Sequence, residues 1–154
     1  MESESLSAPC VPDKPDGSWW NGTVVSAARQ AIANPDVLAI LCTGRLRQSF
    51  ARYRIPELLR QKGLDFNGVY LNPGGATATF KKSIITKVLS RFPDVTTVHI
   101  YEDRHDHLSQ FCQTVESLGR ICVPHAIRVP PLECEASAIE RVARRWVGGF
   151  AAMG

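Results

Sequence analysis

The chain has 154 residues, of which 44% are hydrophobic and 21% are charged. This length fits a single domain with one hydrophobic core, and the formal net charge of +3 permits an anionic ligand without requiring one. No apolar run is long enough to span a membrane, and the acidic N-terminus "MESESLSAP" lacks the pattern of a secretory signal. The five cysteines show no C-x-x-C pairing, so we expect reduced thiols and a cytoplasmic or nuclear location.

The N-terminal segment differs in composition from the rest of the chain. Residues 1–18 carry Pro9, Pro12 and Pro15 among serines and acidic residues, which predicts a disordered or loosely packed leader. The folded domain is predicted to cover residues 19–150.

From Trp19 onward, strand-like apolar runs alternate with helical patterns. Strands are predicted at 37–42, 66–72, 96–102 and 121–129, and the last belongs at a sheet edge because Pro124 interrupts it. Helices are predicted at 23–34, 47–62 (broken or kinked before Pro56 and ended by Gly63), 84–92, 108–118 and 139–150. This alternation predicts a Rossmann-like, three-layer α/β/α domain with a mostly parallel sheet.

Polar residues follow three of these strands, and in such sheets ligands bind beyond the carboxyl ends of the strands. They are Thr43, Gly44 and Arg45; then Pro73, Gly74 and Gly75 with Lys81 and Lys82 further on; and Glu102, Asp103, Arg104, Asp106 and His107. A hydroxyl and backbone amides can hold phosphate oxygens, a lysine can neutralise them, and adjacent carboxylates suit Mg²⁺. Together they predict a phosphoryl-transfer site.

Simpler interpretations stand beside this one. Thr43 could cap a helix, as threonine after a strand commonly does. Glu102 and Asp103 could be favourable charges at the start of the helix that begins near residue 105.

Three motifs resemble one branch of a known superfamily. Thr43-Gly44-Arg45, Phe80-Lys81 and the run 101–107, "YEDRHDH", are similar to motifs of the haloacid dehalogenase (HAD) domain linked to Swiss Army Knife RNA repair proteins, and the resemblance covers roughly residues 19–130. It implies that Thr43 binds phosphate and that Lys81 stabilises the phosphate as a catalytic residue. It further implies that Glu102 and Asp103 hold Mg²⁺. Gly44, Arg45, Arg104 and His107 are assigned to substrate contact or to bracing the site.

One motif of that superfamily is missing. The reaction uses an aspartate nucleophile in a D-x-D-x-T/V motif after a first, central strand. Upstream of Trp19, Asp13 and Asp16 are three positions apart, and no β-run precedes them. The resemblance places the missing strand between the strands at 37–42 and 96–101. Three arrangements remain open: the flanking strands pair directly, a partner donates a strand, or the chain is an incomplete product of its gene.

Two functional hypotheses follow. The first is a Mg²⁺-dependent phosphohydrolase domain for a phosphorylated small molecule or an RNA end, inactive or incomplete in this chain for want of the nucleophile. The alternative is a non-catalytic relative that binds phosphate, RNA or a protein. We also expect a protein partner that completes the sheet, and we expect no association with a membrane.

Overall fold

A computed structural model describes residues 12–48, 50–128 and 150–153 of the chain. The helices in these ranges are Gly22–Ala33 (α1), Ala51–Lys62 (α2), Thr77–Arg91 (α3) and His105–Ser117 (α4), after a 3-10 turn at Gly17–Trp19. The strands are Leu38–Leu46 (β1), Gly68–Asn72 (β2), Thr97–Glu102 (β3), Ile121–Ala126 (β4) and Phe150–Met153 (β5).

The strands form one sheet in the order β2-β1-β5-β3-β4. β1 pairs in parallel with β2, and β3 pairs in parallel with β4, whereas β5 is antiparallel to both β1 and β3. The carboxyl ends of β1 to β4 therefore share one edge of the sheet, as the sequence predicts. β4 lies at the sheet edge, where the missing N–H group of Pro124 costs no central ladder bond.

Helices cover both faces of the sheet. α1 and α2 pack on one face, where Val24, Ala28 and Ile55 share a core with Ala39 of β1. α3 and α4 pack on the other face, where Val88 and Phe111 meet Ile40, Val98 and Ile100. Odd-numbered residues of β1 point to the first core and even-numbered residues to the second, as the alternation of side chains along a strand requires. The predicted three-layer α/β/α class is confirmed.

The central position of the sheet is the main departure from expectation. Within the described ranges no strand precedes β1, and β5 fills the place between β1 and β3. Phe150 stands level with Leu41 on one side and Tyr101 on the other. The predicted helix at 139–150 lies outside the described residues except for Phe150, which belongs to β5 instead. None of the three arrangements considered for the central gap includes a strand supplied by the chain's own residues 150–153.

Several predicted boundaries are wrong. Helix α3, predicted at 84–92, begins at Thr77, and β4, predicted to reach 129, ends at Ala126. Helix α2 begins at Ala51 rather than 47 and runs through Pro56 without ending there, although it does end at Gly63, whose φ of 69° is left-handed. β1 continues to Leu46 instead of stopping near residue 42, and its pairing with β2 shifts register between Thr43 and Leu46. The T-G-R motif therefore lies in an irregular end of β1 rather than in a loop after it.

Pro12 and Asp13, at the start of the described chain, lie against α2. The buried Arg54 donates to the carbonyl oxygens of Pro12 (2.6 Å) and Asp13 (3.3 Å), and Gln61 donates to the same Asp13 oxygen at 3.0 Å. The Asp16 side chain accepts from the N–H of Ser18 and caps the 3-10 turn. The domain boundary at residue 18 stays a prediction.

The cysteines differ from expectation. Cys112 of α4 and Cys122 of β4 pair as a disulfide with their Cα atoms 5.3 Å apart, a separation that suits such a bridge. The expectation of reduced thiols is therefore wrong for this pair, whereas Cys42 is free. No helix in the described part of the chain is long and apolar enough to cross a membrane.

Candidate functional site

A buried ion pair lies at the centre of the candidate site. The Nζ atom of Lys81 donates to Oε2 of Glu102 at 2.7 Å, and the two residues are only 6% and 2% exposed. α3 carries Lys81 on its sheet-facing side, one turn after Thr77, and Glu102 is the last residue of β3. The Lys81 ammonium also lies 5.7 Å from the ring centroid of Phe111. Two residues 21 positions apart are thus joined where β3 ends.

The electrostatics of Glu102 reflect two opposing influences. Burial, and then a hydrogen bond with the Asp103 side chain, raise the pKa of Glu102, while the charge of Lys81 lowers it. Asp103 follows Glu102 directly, so a second acidic side chain lies next to the buried one where β3 ends.

Cys42 belongs to the same cluster. Burial raises the pKa of this thiol to about 12, with a lowering influence from Lys81 and a raising one from Glu102. At neutral pH the side chain is a protonated thiol, so Cys42 contributes packing rather than a nucleophile. In the sequence, Cys42 lies in an apolar run, which does not indicate that Lys81 and Glu102 are its neighbours in the structure.

The end of β1 lies against the first turn of α3. A Cβ atom at Gly44 would lie 2.8 Å from both Cγ2 and Oγ1 of Thr77, so only glycine permits this approach. Oγ1 of Thr43 accepts from the N–H of Arg45 at 3.2 Å. Ala76 precedes the helix without a side-chain cap, and the first turn of α3 has no acidic residue. Helix N–H groups of this kind are suited to phosphate oxygens.

Asn72 braces the turn between β2 and α3. This residue is 2% exposed, its Nδ2 donates to the carbonyl oxygen of Gly75 (3.1 Å), and its Oδ1 accepts from the N–H of Gly74 (3.0 Å). Gly74 and Gly75 have φ values of 137° and 85°, a backbone conformation that favours glycine. The amide fixes the turn that leads into α3. Its signal in the sequence is the Asn-Pro-Gly run, since asparagine side chains commonly bond to the backbone two residues on.

The segment after β3 has an exposed and a buried part. Arg104 donates to Asp106 at 3.1 Å, with both side chains more than half exposed, and this hydrogen bond is the main cause of the lowered pKa of Asp106. His107 is buried, with its ring 5.7 Å from that of Phe111. Burial, followed by the charge of Arg104, lowers the pKa of His107. Asp103 is half-buried between these two environments.

The structure places some of the predicted site residues in contact with one another and others at the surface. Lys81 and Glu102 are in direct contact, with Asp103 and His107 beside them. Gly44 contacts Thr77 at the start of α3, four residues before Lys81, and Thr43 precedes Gly44 in β1. Arg104 points to Asp106 at the surface, and the observed hydrogen bond of Arg45 to Thr43 is made by its backbone. The roles given to these residues stay predictions, and sequence reasoning missed Cys42, Asn72, Thr77 and Phe111.

The fold and this cluster define a HAD-like α/β domain. A comparison with protein families matches residues 2–143 to the family described as HAD domain family 1 in Swiss Army Knife RNA repair proteins. The match covers most of the chain, so the chain belongs to that family. No solved structure matches it.

Members of the HAD superfamily generally depend on Mg²⁺. Within the described residues, no three His, Cys, Asp or Glu side chains are grouped as a metal site. Mg²⁺, however, needs only one or two protein carboxylates beside its waters and substrate oxygens. Glu102 and Asp103 together would meet this smaller requirement; Asp103 is the more exposed of the two, and Glu102 is hydrogen-bonded to Lys81.

Proposed function

We propose that this domain binds the terminal phosphate of a phosphorylated small molecule or an RNA end at the carboxyl edge of its sheet, together with Mg²⁺ at Asp103. The observation that carries the proposal is the buried Lys81–Glu102 pair at this edge. An ammonium has three N–H donors, so Lys81 retains donor capacity for a phosphate oxygen after its bond to Glu102.

The supporting groups have complementary tasks. The first N–H groups of α3 and the Thr43 hydroxyl suit the non-bridging phosphate oxygens, and Asn72 holds the turn that positions them. Glu102 orients the Lys81 ammonium through their 2.7 Å hydrogen bond and balances its charge inside the protein. Mg²⁺, when bound, would neutralise phosphate charge beside Asp103.

In the superfamily's reaction an aspartate on the central strand forms a covalent aspartyl-phosphate. β5 occupies the central position here, and its residues Phe150, Ala151, Ala152 and Met153 include no carboxylate. We therefore propose phosphate binding rather than turnover by the described residues. The protein's RNA context is suggested by the name of the family.

The test is to titrate the protein with Mg²⁺ and inorganic phosphate by calorimetry, and to incubate it with 3′- and 5′-phosphorylated oligoribonucleotides. We expect binding that depends on Mg²⁺ and no release of phosphate. Asp103→Asn should weaken Mg²⁺ binding by about tenfold or more, because it removes one of very few carboxylate ligands.

Asp106→Asn serves as the matched control, since Asp106 is exposed and paired with Arg104. Unchanged Mg²⁺ affinity in Asp103→Asn would contradict the metal assignment. Release of phosphate by the purified protein would overturn the binding-only proposal and would direct the search to a nucleophile elsewhere in the chain.

A further inference from the structure

A cluster of exposed arginine and aromatic side chains lies between β1 and the start of α2. We name it the basic–aromatic surface and define it as Arg47, Phe50, Arg52 and Tyr53. Tyr53 is 69% exposed and Phe50 is 40% exposed, and both arginines are also exposed. The guanidinium of Arg52 lies 5.6 Å from the centroid of the Tyr53 ring. Neither Phe50 nor Tyr53 belongs to a hydrophobic core cluster of the described residues.

This surface is fixed to the candidate phosphate site by the backbone. The N–H of Arg47 donates to the carbonyl oxygen of Asn72 at 2.8 Å, and Asn72 braces the turn before α3. Three residues before Arg47, Gly44 contacts Thr77 at the start of α3. The N–H of Tyr53 donates to the carbonyl oxygen of Phe50 at 3.0 Å, which holds the two aromatic residues in one turn.

The charge of this stretch has one sign. Residues 43–56 contain four arginines and no aspartate or glutamate. The buried Arg54 is engaged by Glu57 and by the carbonyl oxygens of residues 12 and 13, so it anchors the segment. Arg47 and Arg52 are exposed beside the two rings. A polyanion with stackable groups is the complementary ligand, because arginine pairs with phosphate and bases stack on aromatic rings.

We propose that the basic–aromatic surface binds the single-stranded nucleotides next to a nucleic-acid end whose terminal phosphate occupies the Lys81 site. Phe50 and Tyr53 provide faces on which bases stack, and Arg47 and Arg52 contact backbone phosphates. The position of the terminal phosphate rests on the proposed function. The stacking surface itself rests on the exposed rings and their arginines.

The experiment measures fluorescence anisotropy of a labelled short oligouridylate, with either a phosphate or a hydroxyl at its unlabelled end, over a range of salt concentrations. Tyr53→Ala should weaken binding of both oligonucleotides about tenfold, the order expected for losing one stacked base. Tyr53→Phe should retain the affinity, since it keeps the ring. Arg47→Ala and Arg52→Ala should each weaken binding and reduce the salt dependence by about one counter-ion.

The chain provides a matched control at the opposite edge of the sheet. Phe92, 37% exposed, has the guanidinium of Arg91 5.7 Å from its ring at the carboxyl end of α3. Phe92→Ala should bind as the unchanged protein does. Equal affinity of Tyr53→Ala and Phe92→Ala would overturn the proposal, as would equally tight binding of a duplex of the same length.

Binding of the terminal phosphate and stacking on the basic–aromatic surface can be removed separately. The double variant Lys81→Met with Glu102→Met, which leaves no unpaired buried charge, should abolish the preference for the phosphorylated end while leaving the ring-dependent affinity for the hydroxyl end. If the unchanged protein and the double variant each bind the two oligonucleotides equally tightly while Tyr53→Ala still weakens binding, the result overturns the phosphate site and supports the stacking surface. If correctly folded Tyr53→Ala binds both oligonucleotides as tightly as the unchanged protein and keeps the preference for the phosphorylated end, the stacking surface is overturned and the phosphate site is supported. An oligodeoxynucleotide distinguishes a general single-strand surface from one confined to RNA.

Discussion

Two ion pairs flank Asp103 in the sequence, and they differ in burial and in the distance between their charged atoms. Lys81 and Glu102 meet at 2.7 Å inside the protein, whereas Arg104 and Asp106 meet at 3.1 Å with side chains 58% and 60% exposed. In the interior, each ion has lost its water and depends on its partner. At the surface, water and salt screen the attraction, so the pair adds little. Burial, rather than the presence of opposite charges, therefore decides which of the two pairs the fold depends on.

The largest effect is expected from Lys81→Met. This substitution leaves the Glu102 carboxylate buried without its partner, so the free energy of unfolding near pH 7 should fall by about 3–5 kcal/mol. Urea denaturation measures the change. A loss smaller than that of a surface variant would show that water reaches Glu102 and that the contrast between the two pairs is unfounded.

The paired variant Lys81→Met with Glu102→Met sharpens this test. It removes both charges and fills the space with apolar atoms, so most of the lost stability should return. A double variant less stable than either single variant would show instead that the site depends on the shape of these side chains.

A smaller effect is expected from the pH dependence of His107, which is buried yet has Nε2 3.9 Å from Oδ2 of Asp106 in the exposed pair. Burial lowers the pKa of His107 below its usual 6.5 in the folded protein. Between the lowered pKa and 6.5 the unfolded chain binds more protons, so stability should fall as the pH is lowered through that window. His107→Gln should remove this component of the slope, measured by denaturation at a series of pH values. His105→Gln, at an exposed position of α4, is the control and should leave the slope in place.

The smallest effect is expected from Asp106→Asn. The hydrogen bond from Arg104 lowers the pKa of Asp106, so any contribution of this pair is lost only as the pH falls through that lowered value. At neutral pH and physiological salt we expect no resolvable change in the urea midpoint. A double-mutant cycle with Arg104→Ala should give no coupling. Coupling as strong as that of Lys81 and Glu102 would remove the distinction between the two pairs.

Much of the fold follows from local patterns in the sequence. The strand–helix alternation predicts the α/β class, Pro124 predicts the edge position of β4, and Gly63 predicts the end of α2. The strand Phe150–Met153 was missed because four residues with two alanines carry no strand period, and its place depends on pairing with residues about fifty and a hundred positions away. Tertiary pairing, rather than local propensity, decides such a strand.

The candidate site was predicted in part. Because ligands bind beyond the carboxyl ends of parallel strands, the sequence predicts that Lys81, Glu102 and Asp103 lie near one edge of the sheet. This rule says nothing about burial, so the buried ion pair between Lys81 and Glu102 was not predicted. Thr77 and Cys42 have ordinary local surroundings in the sequence, and only the close approach at Gly44 and the packing of α3 reveal their positions. The disulfide between Cys112 and Cys122 was missed because the helical period marks Cys112 as a core residue.

The central position of β5 has a consequence for the order in which the protein acquires its structure. During synthesis β1 and β3 leave the ribosome well before the strand that separates them, so each has an unpaired inner edge until residues 150–153 emerge. Nascent chains with such edges are exposed to wrong pairing with each other or with neighbouring chains. The two parallel pairs, β1–β2 and β3–β4, can form early from nearby segments, but their union awaits the synthesis of residues 150–153. The inner edge of β3, just before Glu102, is therefore covered only after these residues have been made.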